Sequence, residues 1–255
     1  MAENIIYEQP LSEHLRICLR LEQLFRDAQH GIKQESEVDA RMALIAILEI
    51  VNIMERPDLK TKLVKALGQE ASRLSVLEQS PDIDNKKLKE LLNDLDKLSD
   101  YLHSSPGKLV QTLRENEFLN NIRLQLSKPG GPNSFSAPAF HFWLHQSPEQ
   151  RNRDLLKWFT NLEKVQNVVN VLLQLARETG KFQLKFATQG FYQETLDLSL
   201  PYQLIRVSLP VERKVFPEIS VGRHHLAIHF FSPNFEGRAL RASHDLQFKL
   251  ACCVG

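Results

Sequence analysis

The sequence has little cysteine, the residue that staples a chain or holds a structural zinc ion. Its three cysteines, Cys18, Cys252 and Cys253, include a vicinal pair and no C-x-x-C. That pattern supports neither a disulfide framework nor a zinc site, and the cysteines read as reduced thiols. The longest strongly apolar run, "MALIAIL" at 42–48, falls far short of the roughly 20 residues that a bilayer crossing needs. The start, "MAENIIYEQPLSEHLR", has no basic stretch followed by an apolar one, so no secretory signal is read and a cytoplasmic protein is expected.

Charge of one sign is also missing. Lysine plus arginine number 32 against 31 aspartates and glutamates, so the molecule as a whole offers no field for nucleic acid or an acidic membrane. Any charged recognition must be local. Residues 181–255 lean basic, with 9 Lys/Arg against 6 Asp/Glu and four histidines, which marks this end as the place to look. No G-x-G-x-x-G follows a strand pattern, and neither G-x-x-x-x-G-K-[ST] nor G-x-S-x-G occurs, which removes the usual signatures of nucleotide chemistry and acyl transfer.

What is present is patterned in two halves. From Leu11 to about Gly180 apolar residues recur with helical period. One helix is expected from Ser12, a plausible N-cap, to about Ala28. A second, apolar on most sides, spans Ser36 to Glu55 and is stopped by Pro57. A third runs from Asp58 to about Gln79, a fourth carries Leu88, Leu91, Leu95, Leu98 and Leu102, and a fifth covers about 107–126. "SKPGGPNSFSAPAF" then breaks the periodicity, so a loop or crossover is expected at about 127–146. "SPEQ" at 147–150 predicts a capping box opening one long helix that ends near Gly180. Its seam, Leu155, Trp158, Leu162, Val165, Val169, Leu172 and Ala176, suits packing inside a bundle or a dimer interface.

After Gly180 the period becomes two, in "KFQLKF", "YQLIRVSL", "HHLAIHFF" and "LQFKLACC". Helices grouped first and strands grouped last predict an α+β protein, a helical bundle domain over 1–180 followed by an antiparallel β-rich domain over 181–255.

The chemistry-bearing residues are histidines and arginines. In "PAFHFWLH", His141 and His145 have the i, i+4 spacing of a zinc protease helix, but no Glu lies between them and no third ligand stands near. His225 and His229 share one strand face and His224 the other, placed for metal or for titratable charge. Arg16 and Arg20 lie one turn apart on the first helix. Arg56, Arg114 and Arg123 are further guanidiniums whose convergence on an anionic partner only a fold can decide.

Several stretches together resemble the ZapD family of bacterial cell-division factors: "YEQPLSEHLRICLRLE", "ERPDLKTKLVKAL", "LSKPGGPNSFSAPAFHFWLH", "GFYQE", "FPEISVGRHHLAIHF" and "LQFKLACC", in matching order and spacing over nearly the whole chain. The resemblance implies a homodimer without enzymatic activity or cofactor. Such a dimer binds the flexible C-terminal tail of FtsZ and bundles its filaments at the midcell division ring. It places Arg20, Arg56 and His141 in a basic, partly apolar tail-binding surface. Where His225 and His229 stand the family commonly has arginines, and Glu117 occupies a place where a basic residue can occur; Arg114, Arg123 and Arg223 are then expected to compensate. The competing readings are a histidine-based metal-dependent enzyme and a nucleic-acid-binding module, the latter disfavoured by the charge balance.

Histidine gains charge between about pH 7 and 6, where arginine does not change. Affinity for an isolated tail peptide is therefore expected to rise over that interval if His141, His225 or His229 meets acidic groups. A flat titration by fluorescence anisotropy would exclude them as charge contributors.

Overall fold

A computed structural model describes residues 3–79, 84–104 and 110–255. The chain is α+β, with helices grouped in its first part and antiparallel sheets in its last, as the change of period predicts. The elements run β1 (Asn4–Pro10), α1 (Glu13–Ile32), α2 (Glu37–Met54), α3 (Leu59–Ser75), α4 (Asn85–Ser104), α5 (Gln111–Arg114), α6 (Glu117–Leu126), α7 (Pro138–Leu144), α8 (Pro148–Thr160) and α9 (Glu163–Glu178). The strands β2 (Gln183–Ala187), β3 (Phe191–Thr195), β4 (Tyr202–Pro210), β5 (Phe216–Val221), β6 (His225–Ser232), β7 (Leu240–Arg241) and β8 (Leu246–Val254) follow. The chain divides into two compact units, one made of Met1–Arg16 with Leu173–Gly255 and the other of Ile17–Leu172.

The helical unit follows its apolar periods, with four departures. The first is that the loop expected at about 127–146 contains the helix α7, opened by Pro138 and held by the buried side chains of Phe140, Trp143 and Leu144. Ser36 caps α2 by accepting from the Asp39 N–H at 3.0 Å, and the helix buries Ala43, Leu44, Ile47, Ile50 and Val51, while Met42 stays 53% exposed. The expected fifth helix is instead two: Asn116 adopts extended backbone and its Oδ1 accepts from the Leu119 N–H at 3.1 Å, so Asn116 caps α6 and separates it from α5. The section of that expectation over 107–109 lies outside the described residues, as do 80–83 before α4. The long helix from Pro148 is also broken. Asn161 donates its side-chain amide to the Lys157 carbonyl at 2.8 Å, while its own N–H turns to Trp158. With that intrahelical acceptor occupied, α8 ends at Thr160 and α9 restarts from Leu162, whose carbonyl accepts from Gln166 at 2.9 Å. The seam survives the break: all seven of its residues are buried.

Capping at the two ends of the bundle also differs in detail from the sequence pattern. Ser147 accepts from the Gln150 N–H at 3.3 Å, but Gln150 does not reach back; its amide bonds Asp154 at 3.2 Å, so only half of the capping box forms. At the start of α1 the Ser12 carbonyl accepts from Arg16, whereas the Ser12 Oγ is buried without a partner among the described residues.

The other unit is a two-sheet sandwich. One sheet has the order β1-β4-β8-β2 and the other β3-β6-β5, with β7 beside β6. The N-terminal strand β1 pairs antiparallel with β4 from Asn4↔Pro210 to Pro10↔Leu204, a pairing the local sequence does not announce. Period-two patterning fixes which side is the core. Ile205, Val207 and Leu209 of β4, Leu226, Ile228 and Phe230 of β6, and Leu246, Phe248 and Leu250 of β8 all enter one buried cluster. The Phe230 and Phe248 rings meet at 5.0 Å across the two sheets. Gly190, at φ +69°, turns β2 into β3; a Cβ there would lie 2.2 Å from the Ala242 carbonyl oxygen, so only glycine fits.

The core geometry gives a stability test. Phe230 is fully buried between the sheets. Phe230→Ala is expected to lower unfolding free energy by about 3–5 kcal/mol, read by urea denaturation, because the sandwich cannot collapse onto the cavity.

Candidate functional site

The buried face of α7 determines what its other face offers. Phe140, Trp143 and Leu144 are buried at i, i+3 and i+4, which turns His141 and Phe142 outward. Trp143 packs among the rings of Phe118, Phe140 and Trp158 and donates its indole N–H to Asp154 at 3.0 Å. Phe142 is 70% exposed beside His141, an aromatic contact surface that the sequence reading passed over.

Arg151 holds this short helix in place. Its guanidinium, almost fully buried, donates to the carbonyl oxygens of Leu144 at 2.9 Å, Gln146 at 2.5 Å and Glu35. One cation thus satisfies the carbonyls at the end of α7 and one in the turn between α1 and α2.

The imidazoles of His141 and His145 lie with ring centroids 4.5 Å apart. His145 sits at the C-cap, and its Nδ1 faces the His141 backbone carbonyl at 2.9 Å, so one of its nitrogens is engaged locally. Among the described residues no group of three or more His, Cys, Asp or Glu side chains is placed to hold a metal ion. The pair therefore lacks the third ligand that a catalytic zinc site requires.

Three of the arginines singled out from the sequence do converge. α2 ends at Met54 with Glu55 as its C-cap, and the Glu55 Oε1 receives Arg123 Nη1 of α6 at 2.7 Å and faces Arg114 Nε of α5 at 3.6 Å. Arg56 follows directly in the chain and pairs with Asp58 at 3.5 Å. Arg123 is further fixed by Asn120 Oδ1 at 3.1 Å. An open groove of about 170 Å³ lies here, with Arg56, Lys60 and Arg114 as its cations, Glu55 as its carboxylate and Met54, Pro57 and Val110 as apolar lining. Lys60 was not among the residues expected from sequence. Its signal was a place on the first turn of the helix after Pro57, but only the fold brings α5 across it.

The remaining expected residues stand apart from this groove or on the other unit. Arg20 is exposed on α1 and makes no hydrogen bond or ion pair among the described residues. Glu117 opens α6, where a negative charge suits the positive end of the helix dipole, which accounts for an acid at that position. Arg123 is the least available of the set, its side chain 21% exposed and committed to Glu55 and Asn120.

On the sandwich unit, His225 and His229 point to the outer face of β6, while Leu226, Ile228 and Phe230 point to the core. His224 precedes the strand instead of lying in it. His225 is exposed. His229 is half-buried, stacked on Phe191 at 4.7 Å, opposite Glu218 of β5, with its Nδ1 buried and unpartnered among the described residues. Arg223, exposed in the turn before β6, borders an open cleft of about 410 Å³ whose other walls include Leu196, Asp197, Leu200 and Tyr202.

The cysteines carry no nucleophile. Cys18 is fully buried, and burial, reinforced by Glu22, pushes its thiol up to about 12. Burial, with the Glu194 carboxylate beside it at 3.6 Å, likewise pushes the Cys252 thiol up to about 12. All three cysteines are free, and protonated thiols of this kind are poor nucleophiles.

The side chains that the fold draws together thus form an exposed groove lined by cations and apolar groups. Comparison with known proteins gives the family. The profile described as "ZapD: Cell division protein" matches residues 19–229. A "Cell division protein ZapD" of Coxiella burnetii (strain RSA 331 / Henzerling II) is 43% identical over 255 residues, 99% of both chains. Those of Azoarcus sp. (strain BH72) and Methylococcus capsulatus (strain ATCC 33009 / NCIMB 11132 / Bath) are 35% and 32% identical over 98% and 100% of this chain and 99% and 100% of their own. The chain belongs to the ZapD family of cell division proteins. No helix among the described residues is long and apolar enough to cross a membrane.

Arg151→Leu removes the donor to three carbonyls while keeping apolar bulk. It is expected to destabilise the helical unit by about 2–4 kcal/mol, since buried acceptors lose a charged partner. Thermal unfolding followed by circular dichroism measures the loss; an unchanged Tm would show that these carbonyls find other donors.

Proposed function

We propose that this protein is a noncatalytic, cytoplasmic division factor that acts as a homodimer. In this reading it binds the C-terminal tail of FtsZ and crosslinks FtsZ filaments, stabilising the division ring at midcell during septation. The observation that carries the reading is the groove in which Arg56, Lys60 and Arg114 stand over Met54, Pro57 and Val110. Cations beside apolar lining suit a flexible segment that presents carboxylates and apolar side chains together: the charges orient it, and the burial of its apolar groups retains it. On α7 an exposed imidazole stands beside the exposed Phe142 ring, and on the sandwich unit the Arg223 cleft likewise sets a cation beside apolar walls.

Two equivalent sites in a dimer make a bridge of a weak interaction. Each site needs only modest affinity, because a filament displays many tails and a second contact forms at high effective concentration. This fits a surface of solvated arginines, whose individual ion pairs contribute little.

Sedimentation with FtsZ tests the proposal. Intact filaments are expected to pellet with the protein and scatter light strongly, whereas tail-deleted filaments should not; equal bundling of both would sink the tail mechanism. Arg56→Ala and Arg114→Ala are each expected to weaken tail-peptide binding about three- to tenfold at low ionic strength, with a smaller effect at high salt.

A further inference from the structure

The groove contains its own carboxylate. Glu55 follows the last residue of α2, beside the negative end of that helix, a place where a second negative charge is unfavourable unless cations hold it. Two do so, and both approach the same oxygen: Arg123 at 2.7 Å and Arg114 at 3.6 Å. The two contacts differ in kind. Arg123 is 21% exposed and also tied to Asn120, whereas Arg114 is 64% exposed and only loosely drawn to Glu55. Of the pair, Arg114 is the one that lines the groove, with Glu55 beside it.

We infer that Glu55 is an internal competitor for the groove's arginines, a carboxylate of the chain itself standing where an anionic ligand's carboxylate binds, so that it sets how strongly and how selectively the groove takes acidic segments. This rests on the reading of the groove as the tail site. An incoming carboxylate displaces the long Arg114–Glu55 contact and leaves the short Arg123–Glu55 pair in place as its support. Because Glu55 already neutralises part of the local charge, carboxylate contact alone returns little. A ligand gains more when it also covers the apolar lining at Pro57 and Val110. The device filters out segments that are merely acidic, and it keeps single-site affinity low, as reversible bridging requires.

Glu55→Gln tests this, since it keeps the size of the side chain and an oxygen that Arg123 can still bond while removing the charge. A peptide carrying the FtsZ C-terminal tail is expected to bind about three- to fivefold tighter, with a steeper loss of affinity on adding salt. A polyglutamate peptide, purely acidic, should gain more than the tail does. In the Arg114→Ala background the tightening should vanish, because the competed group is gone. Glu55→Asp, which withdraws the carboxylate by one methylene, should shift affinity the same way by less and provides the reading if Glu55→Gln proves unstable by circular dichroism. Unchanged or weaker tail binding by these variants, while Arg56→Ala and Arg114→Ala do weaken it, would overturn the role of Glu55 and leave the groove as the site. Tail binding indifferent to Arg56→Ala and Arg114→Ala would overturn both.

Discussion

The sandwich unit depends on one carboxylate. Glu8 of β1 accepts Arg206 Nε from the neighbouring strand β4 at 2.8 Å and Arg177 of α9 at 2.9 Å and 2.6 Å, with the side chains of Glu8 and Arg206 both 14% exposed. These partners lie 169 and 198 residues along the chain, so a single acidic group gathers its first strand, the end of its last helix and the middle of its sheet. Guanidinium geometry makes this possible, since each planar fork donates along a fixed direction and two forks share one carboxylate without competing. The register Glu8↔Arg206 follows, and with it the pairing of all seven residues of β1.

Arg151 uses the same chemistry in the helical unit, with backbone carbonyls in place of a carboxylate. Arg151 is buried and Arg206 half-buried, and each meets acceptors at short range, as the desolvation of a guanidinium requires. Arg114 is the opposite case. Its side chain is 64% exposed, with a carboxylate contact at 3.6 Å. The difference is one of environment: a tight set of acceptors in a dry site fixes a guanidinium, whereas a long contact in water leaves it exchangeable. Functional reading of an arginine-rich chain therefore turns on which cations the fold has already used.

The histidines of β6 show what the outer face of the sheet can carry. The outer face of β6 is not part of the core cluster, so His225 and His229 alter its charge without altering the packing of Leu226, Ile228 and Phe230 behind them. His229 is more than a surface residue, since it stacks on Phe191. That contact gives the imidazole a packing role beside any electrostatic one.

The sequence by itself determined the class and the faces. Period-two patterning decides the core side of β4, β6 and β8 because side chains alternate, but in β2 it misleads, since the alternating Leu184 and Phe186 are exposed. Helical spacing similarly identified the seam of α8 and α9, whose residues are all buried even though Asn161 breaks the helix beneath them. The family was also legible, because its motifs extend over the chain. Tertiary structure alone decided the rest. The pairing of β1 with β4 rests on contacts nearly two hundred residues apart, for which Asn4–Pro10 carries no local mark. The two helix breaks turn on whether an asparagine side chain bonds a backbone group or water, a choice of little free energy that neighbouring packing settles. The groove is likewise nonlocal: Arg56 and Arg114 are separated by two helices, and both line it because α5 lies beside the end of α2, where Glu55 faces Arg114.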